Sequence, residues 1–135
     1  MELHFLAGLP RSGSTLLAAI LNQNPAAKVS STSELVNILD VLANLWAKAH
    51  TLSIRDPERT RLIEVMRGVI NAEYKDAPAV AIDKSREWPR PDIMQSMPLV
   101  LGRPMKIIAT VRDVPDCAAS FARIAKPEDL HSFLV

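Results

Sequence analysis

The chain opens on a short apolar run, Leu3–Ala7, that stops at Gly8, and a run of this kind ahead of a glycine predicts a buried strand. Gly8–Gly13 reads as a turn. From Ser14 the period lengthens: Leu16, Leu17, Ile20 and Leu21 share one helical face, and Asn22–Pro25 ends that helix. After Ser33, Leu35, Ile38, Leu39, Leu42, Leu45 and Trp46 recur at helical spacing and predict a second helix through about Ala49. A third is predicted from Asp56-Pro57, with Asp56 as N-cap and Pro57 in the first turn. Leu62, Ile63, Met66, Val69 and Ile70 form its apolar stripe, and Pro78 closes it.

Ala79–Ile82 predicts a second strand that stops at Asp83-Lys84. The proline-rich segment Arg86–Pro104 reads as a loop with a short or kinked helix around Asp92–Leu101. Lys106–Val111, with Ile107, Ile108 and Val111, is the clearest strand, and Pro115 starts a helix through about Ile124. The alternation predicts an α/β fold, a parallel sheet of three strands flanked by helices. In such sheets ligands sit beyond the carboxyl ends of the strands.

The length, 135 residues, fits one domain spanning 1–135. Apolar residues make up 48% and aromatics 4%, so the core must be built mostly from Leu, Ile, Val and Ala. Sixteen Lys and Arg against 15 Asp and Glu leave +1, so no global field draws the chain onto nucleic acid or a membrane, and any anion site must be local. Cys117 is the single cysteine, which rules out an internal disulfide and removes any need for an oxidising compartment. Leu3–Leu9 runs into Pro10-Arg11, unlike a signal peptide, and no stretch approaches the ~18 apolar residues of a membrane span. The expectation is a soluble cytoplasmic protein.

The candidate chemistry begins at Gly8-Leu9-Pro10-Arg11-Ser12-Gly13-Ser14-Thr15, between a strand and a helix. Gly8 and Gly13 let the backbone curl so that N–H groups point inward, and the helix N-terminus adds free N–H groups and partial positive charge. Together they form an anion cradle. Ser12, Ser14 and Thr15 add hydroxyl donors, and Arg11 adds a planar cationic fork suited to phosphate oxygens. The alternative is an ordinary strand-to-helix turn with a solvent-facing arginine. The spacing matches a nucleotide P-loop except that Ser14 stands where the P-loop has lysine, the cation having moved to Arg11. That difference weakens an ATPase reading. Asp83 and Asp113 are the strand-end carboxylates that a Mg²⁺ role would use.

A second anchor follows the third predicted strand. Arg112 sits at its carboxyl end, and Ser120 lies eight residues on, about two helical turns into the next helix. A guanidinium and a hydroxyl there could clamp a second phosphate; equally, Arg112 could pair with Asp113 or Asp116 at the surface.

Taken together, these two segments resemble the sulfotransferase family that uses 3′-phosphoadenosine-5′-phosphosulfate. The loop Gly8–Leu16 is similar to its 5′-phosphosulfate loop, in the form seen in tyrosylprotein sulfotransferases and bacterial relatives. Val111-Arg112-Asp113 through Ser120 is similar to its 3′-phosphate motif. The resemblance runs from about residue 3 to 125. It implies a P-loop-type three-layer α/β/α sandwich. It also implies that Arg11, Ser12, Gly13, Ser14 and Thr15 hold the 5′-phosphosulfate, and that Arg112 and Ser120 hold the 3′-phosphate. Two further matches are looser. Glu34 corresponds to the tyrosylprotein branch's base, though about two positions late, and could instead be a helix-start glutamate favoured by the dipole. Lys84 corresponds to a lysine after the second strand, and could instead be a surface lysine.

The implied reaction moves a sulfuryl group to an acceptor hydroxyl or amine and leaves adenosine 3′,5′-bisphosphate, with Arg11 and Lys84 stabilising the leaving phosphate, Glu34 as base and no metal. His4, His50 and His131 follow no strand end and rank below Glu34. Trp88 could stack on the adenine or cover a core edge. Cys117, beside Ala118 and Ala119, is expected to be buried. No His/Cys cluster has metal-ligand spacing. The family's domain usually continues past this length, so the sheet is expected to be incomplete, with an exposed edge that a homo-oligomer or a missing C-terminal portion would cover. Rival readings are a P-loop nucleotide kinase or NTPase, and a truncated non-catalytic remnant that binds nucleotide. The acceptor class is left open by the sequence.

Overall fold

The computed structural model describes residues 1–49 and 56–124. The elements run β1 (Glu2–Gly8), α1 (Ser14–Leu21), β2 (Ala27–Val29), α2 (Leu35–Ala49), α3 (Asp56–Glu73), β3 (Val80–Lys84), α4 (Pro91–Leu101), β4 (Ile107–Thr110) and α5 (Val114–Ala122). His50, His131 and the side chain of Asp56 lie outside what is described.

The strands form one parallel sheet in the order β2-β3-β1-β4, so the architecture is α/β. This corrects the expected three strands to four. The missed strand, Ala27-Lys28-Val29, is too short to show a period, and it exists as an edge partner of β3. The expected second strand also runs further, to Lys84, because β1 continues to pair with it: Phe5 stands opposite Asp83 and Leu6 opposite Lys84. On the other side Gly8 pairs with Thr110. Parallel pairing in this register brings Gly8, Lys84 and Thr110 to one rim of the sheet.

Alternation along the strands divides the core in two. Leu3 and Phe5 of β1 and Ala81 of β3 pack with Leu35, Val36 and Leu39 of α2, Met66 and Ile70 of α3, and Ile93, Met97 and Val100 of α4. Leu6, Val29 and Ile82 face the other way and meet Ala18 of α1. Helices therefore cover both faces, the second thinly. Two special residues suit α4: Pro91 pre-sets its first turn, and Gly102 closes it with φ 68° and an N–H donated to the Pro98 carbonyl at 2.9 Å.

Trp88 is wholly buried in the larger core, its ring tilted on Phe5 with centroids 4.3 Å apart. Adenine stacking on Trp88 is thereby ruled out, and the core-covering alternative holds. Cys117 is buried, as expected. Among the described residues no helix is long and apolar enough to cross a membrane.

Candidate functional site

The turn after β1 is built tightly. The Ser12 N–H donates to the Leu9 carbonyl at 3.0 Å, Arg11 adopts φ 68° and Gly13 φ 98°. A non-glycine residue in the left-handed region costs about 1–2 kcal/mol. Arg11 holds it because its carbonyl and guanidinium are both engaged across the rim. Gly13 is the N-cap of α1, and no side chain caps that helix or adds an acidic group to its first turn. Its leading N–H groups and partial positive charge are thus left for an anion. Gly8 is required for a different reason: a Cβ there would run into Thr110 Oγ1 and lie 2.6 Å from Ser12 Oγ.

The second anchor meets the loop directly. Arg112 donates from its guanidinium to the Arg11 carbonyl at 3.2 Å, and Arg11 Nε donates to Ser120 Oγ at 3.1 Å. Arg112 also pairs with Asp116 at 3.6 Å, an exposed contact of little energetic weight. Arg11, Gly13, Ser14, Thr15, Arg112 and Ser120 line one cavity of about 270 Å³.

A second cavity, of about 480 Å³, lies on the other flank of the loop. It is lined by Arg11, Ser14 and Thr15 again, together with Glu34, Asn37 and Lys84. The segment before α2 is fastened to the end of β3. Ser30 N–H donates to the Ile82 carbonyl at 3.0 Å, Lys84 N–H to Ser30 Oγ at 2.7 Å, and Ser33 N–H to the Lys84 carbonyl at 3.2 Å. That lacing places Glu34 and Lys84 on one cavity. Lys84 Nζ donates to Thr15 Oγ1 at 3.0 Å and to the Ser31 carbonyl at 2.5 Å. Partial burial holds its ammonium below the usual lysine range. Glu34 is exposed, its carbonyl accepts the first α2 hydrogen bond from Ile38, and its carboxylate accepts from Asn37 at 2.5 Å.

The structure therefore brings together Arg11, Gly13, Ser14, Thr15, Glu34, Lys84, Arg112 and Ser120. Ser12 stands apart: its hydroxyl shares a 2.7 Å hydrogen bond with Thr110 and lines neither cavity. Asp83 is turned away as well. It is fully buried, accepting from Ser33 Oγ at 2.6 Å, Tyr74 Oη at 2.5 Å and Trp88 Nε1 at 2.8 Å. Burial pushes its carboxyl above the usual range, against the opposing pull of those three bonds. Both oxygens are thus spent on the protein, which rules out the strand-end metal role for Asp83. Asp113 precedes α5 and is exposed.

Sequence reasoning missed Asn37, Thr110 and the structural role of Asp83. The period-two alternation from Ala81 to Asp83 was the available signal for the last. Among the described residues no group of three or more His, Cys, Asp or Glu side chains comes together to hold a metal ion.

Comparison with known proteins adds a family. No curated protein matches the chain. The family model described as "Sulfotransferase domain" matches residues 3–129, a stretch holding the loop, the strand-end lysine and the Arg112–Ser120 pair. The chain belongs to the sulfotransferase family.

Proposed function

We propose that the chain binds 3′-phosphoadenosine-5′-phosphosulfate and transfers its sulfuryl group to an acceptor hydroxyl or amine. One observation carries this reading: the two cavities share Arg11, Ser14 and Thr15, and one extends to Lys84 and Glu34 while the other extends to Arg112 and Ser120. A nucleotide with anionic groups at two separate positions uses both arms. The donor set fits such a ligand, since Arg11, Lys84 and Arg112, the hydroxyls of Ser14, Thr15 and Ser120 and an uncapped helix start line these cavities around the loop.

The nucleotide supplies an activated sulfuryl group on a phosphate leaving group. The chain supplies the rest. Loop N–H groups and Arg11 bind the 5′ end, and Arg112 with Ser120 binds the 3′-phosphate. Lys84, held against Thr15, would stabilise the charge that grows on the leaving phosphate, since a fixed cation needs no reorganisation. Glu34 takes the acceptor's proton onto its carboxylate. Ser12 supports the loop from behind through Thr110.

Calorimetric titration tests this. Adenosine 3′,5′-bisphosphate should bind more tightly than AMP, and Arg11→Ala should abolish binding. Arg112→Ala should erase most of the preference, since a hydrogen bond to a charged group contributes about 1.5–3 kcal/mol, or roughly 10- to 150-fold. Equal affinity for the two nucleotides in the parent protein would overturn the reading. Tighter Mg²⁺-dependent binding of ATP would favour a kinase or NTPase instead. Bisphosphate binding without transfer from labelled donor would leave only a nucleotide-binding remnant.

A further inference from the structure

Helix α2 carries two apolar stripes, and the core uses only one. Leu35, Val36 and Leu39 are buried, with Leu42 and Ala43 packed beside them. On another face Ile38, Val41 and Leu45 are 49%, 55% and 59% exposed, at the three- and four-residue spacing of a continuous line. A surface helix needs one stripe to join a core, with polar residues opposite. Single exposed apolar residues are ordinary, but an aligned set marks a binding surface. Above it lies a hollow of about 400 Å³ lined by Glu34, Asn37, Ile38, Val41, Leu42 and Leu45.

The hollow begins at the candidate site. Glu34 and Asn37 line both it and the cavity holding Lys84 and the phosphate loop. Beyond those two residues its lining is hydrocarbon. A sugar laid there would give up hydration without a partner, at a cost for each hydroxyl. A hydrocarbon body would gain by leaving water, and from Glu34 to Leu45 the helix offers about 16 Å of length.

We propose that this stripe is the acceptor's binding surface and that the acceptor is an apolar alcohol. Its hydrocarbon body lies along Ile38, Val41 and Leu45, and its single hydroxyl reaches Glu34. This rests on the sulfuryl-transfer reading of the adjoining cavity.

The test titrates 1-hexanol, 1-octanol and glucose into the protein, with and without saturating adenosine 3′,5′-bisphosphate, following amide shifts by NMR. Octanol should bind more tightly than hexanol, by up to about fourfold per methylene, with shifts centred on α2, and glucose should not bind. Val41→Asp and Leu45→Asp should each weaken octanol at least tenfold and leave bisphosphate affinity and the melting temperature unchanged. Affinity independent of chain length, a comparable response to glucose, or unaltered octanol binding in both variants would overturn the proposal. So would a dimer in sedimentation that Val41→Asp dissociates, because a second copy would then cover the stripe. Failure of the bisphosphate to bind would strike the sulfuryl-transfer reading instead, and the titration without it still reads the stripe.

Discussion

Removing the Asp83 carboxylate should cost more stability than its single residue suggests. It accepts three hydrogen bonds, from Ser33 before α2, Tyr74 after α3 and Trp88 after β3. In Asp83→Ala the Tyr74 hydroxyl and the Trp88 indole N–H remain in a core where those residues are 3% and 0% exposed. Each stranded donor costs about 1–3 kcal/mol, while half-buried Ser33 can turn to water, so the loss is about 2–6 kcal/mol. A typical domain has only about 5–15 kcal/mol in total. Asp83→Asn can satisfy Ser33 and Tyr74 through its carbonyl, but its amide then meets the Trp88 N–H donor to donor. Both facing donors are then stranded in the core, so the loss is again about 2–6 kcal/mol. The sign of the pH dependence separates charge from geometry. Burial is the largest influence on Asp83 and raises its carboxyl above the unfolded value of about 3.9. The native state therefore holds more protons than the unfolded state above that pH. The stabilisation is complete below about pH 3.9 and is lost as pH rises through the folded value. Asparagine does not titrate, so the gap between parent and Asp83→Asn should narrow as pH rises. Urea unfolding followed by tryptophan fluorescence across the acidic to neutral range measures it. Parallel stability curves, or an Asp83→Ala loss below about 1 kcal/mol, would refute the account.

Gly8→Ala should destabilise by about 1–3 kcal/mol through overpacking, and Thr110→Ala should rescue part of it in the double variant. Gly13→Ala has open space around it, so its cost of about 1–2 kcal/mol should come from φ 98° alone and show no rescue by Thr110→Ala; thermal melts compare the two. Because burial lowers the Lys84 pKa, bisphosphate affinity should decline with rising pH before the usual lysine value of about 10.4 is reached. In Lys84→Arg, which does not titrate there, that decline should vanish. Glu34→Gln should keep bisphosphate binding and lose transfer from labelled donor, and unchanged turnover would dismiss Glu34 as the base.

The strand-to-helix turn at Gly8–Thr15 was legible because its residues act locally: glycine, hydroxyls and a cation within one turn of chain. The boundaries of α2 were legible for the same reason, since a 3.6-residue period repeats over 15 residues. What escaped was set by pairing across the sheet. Ala27–Val29 becomes a strand only because β3 offers it an edge, and Lys84 stays in β3 only because β1 extends beside it. Trp88 sits between a charged residue and a proline in the sequence, a setting that more often covers a core edge, and the structure buries it completely. It is buried because Asp83 supplies an acceptor for its indole and Phe5 a ring to pack against. Neither partner can be read from the local run.

The position of Ser14 gives the site its character. With lysine there, cation and cradle would share one point on the chain, and adjacent phosphates would gather around it. Here the cations come from three places: Arg11 in the loop, Lys84 at the end of β3 and Arg112 after β4. The strand order places β1 between β3 and β4, and neighbouring strands lie about 4.8 Å apart, so β3 and β4 run about 10 Å apart on either side of the strand that carries the loop, with Lys84 level with Leu6 and Arg112 two residues beyond the Thr110 that pairs with Gly8. A string of contiguous phosphates would engage one end of that rim and leave the other cation to its protein partners, Asp116 for Arg112 or Thr15 and Ser31 for Lys84. Two anionic groups held apart by a nucleoside satisfy both, with Arg11 at the junction. The sheet order, more than any single side chain, thus suits the nucleotide proposed above, phosphorylated at both 3′ and 5′ positions.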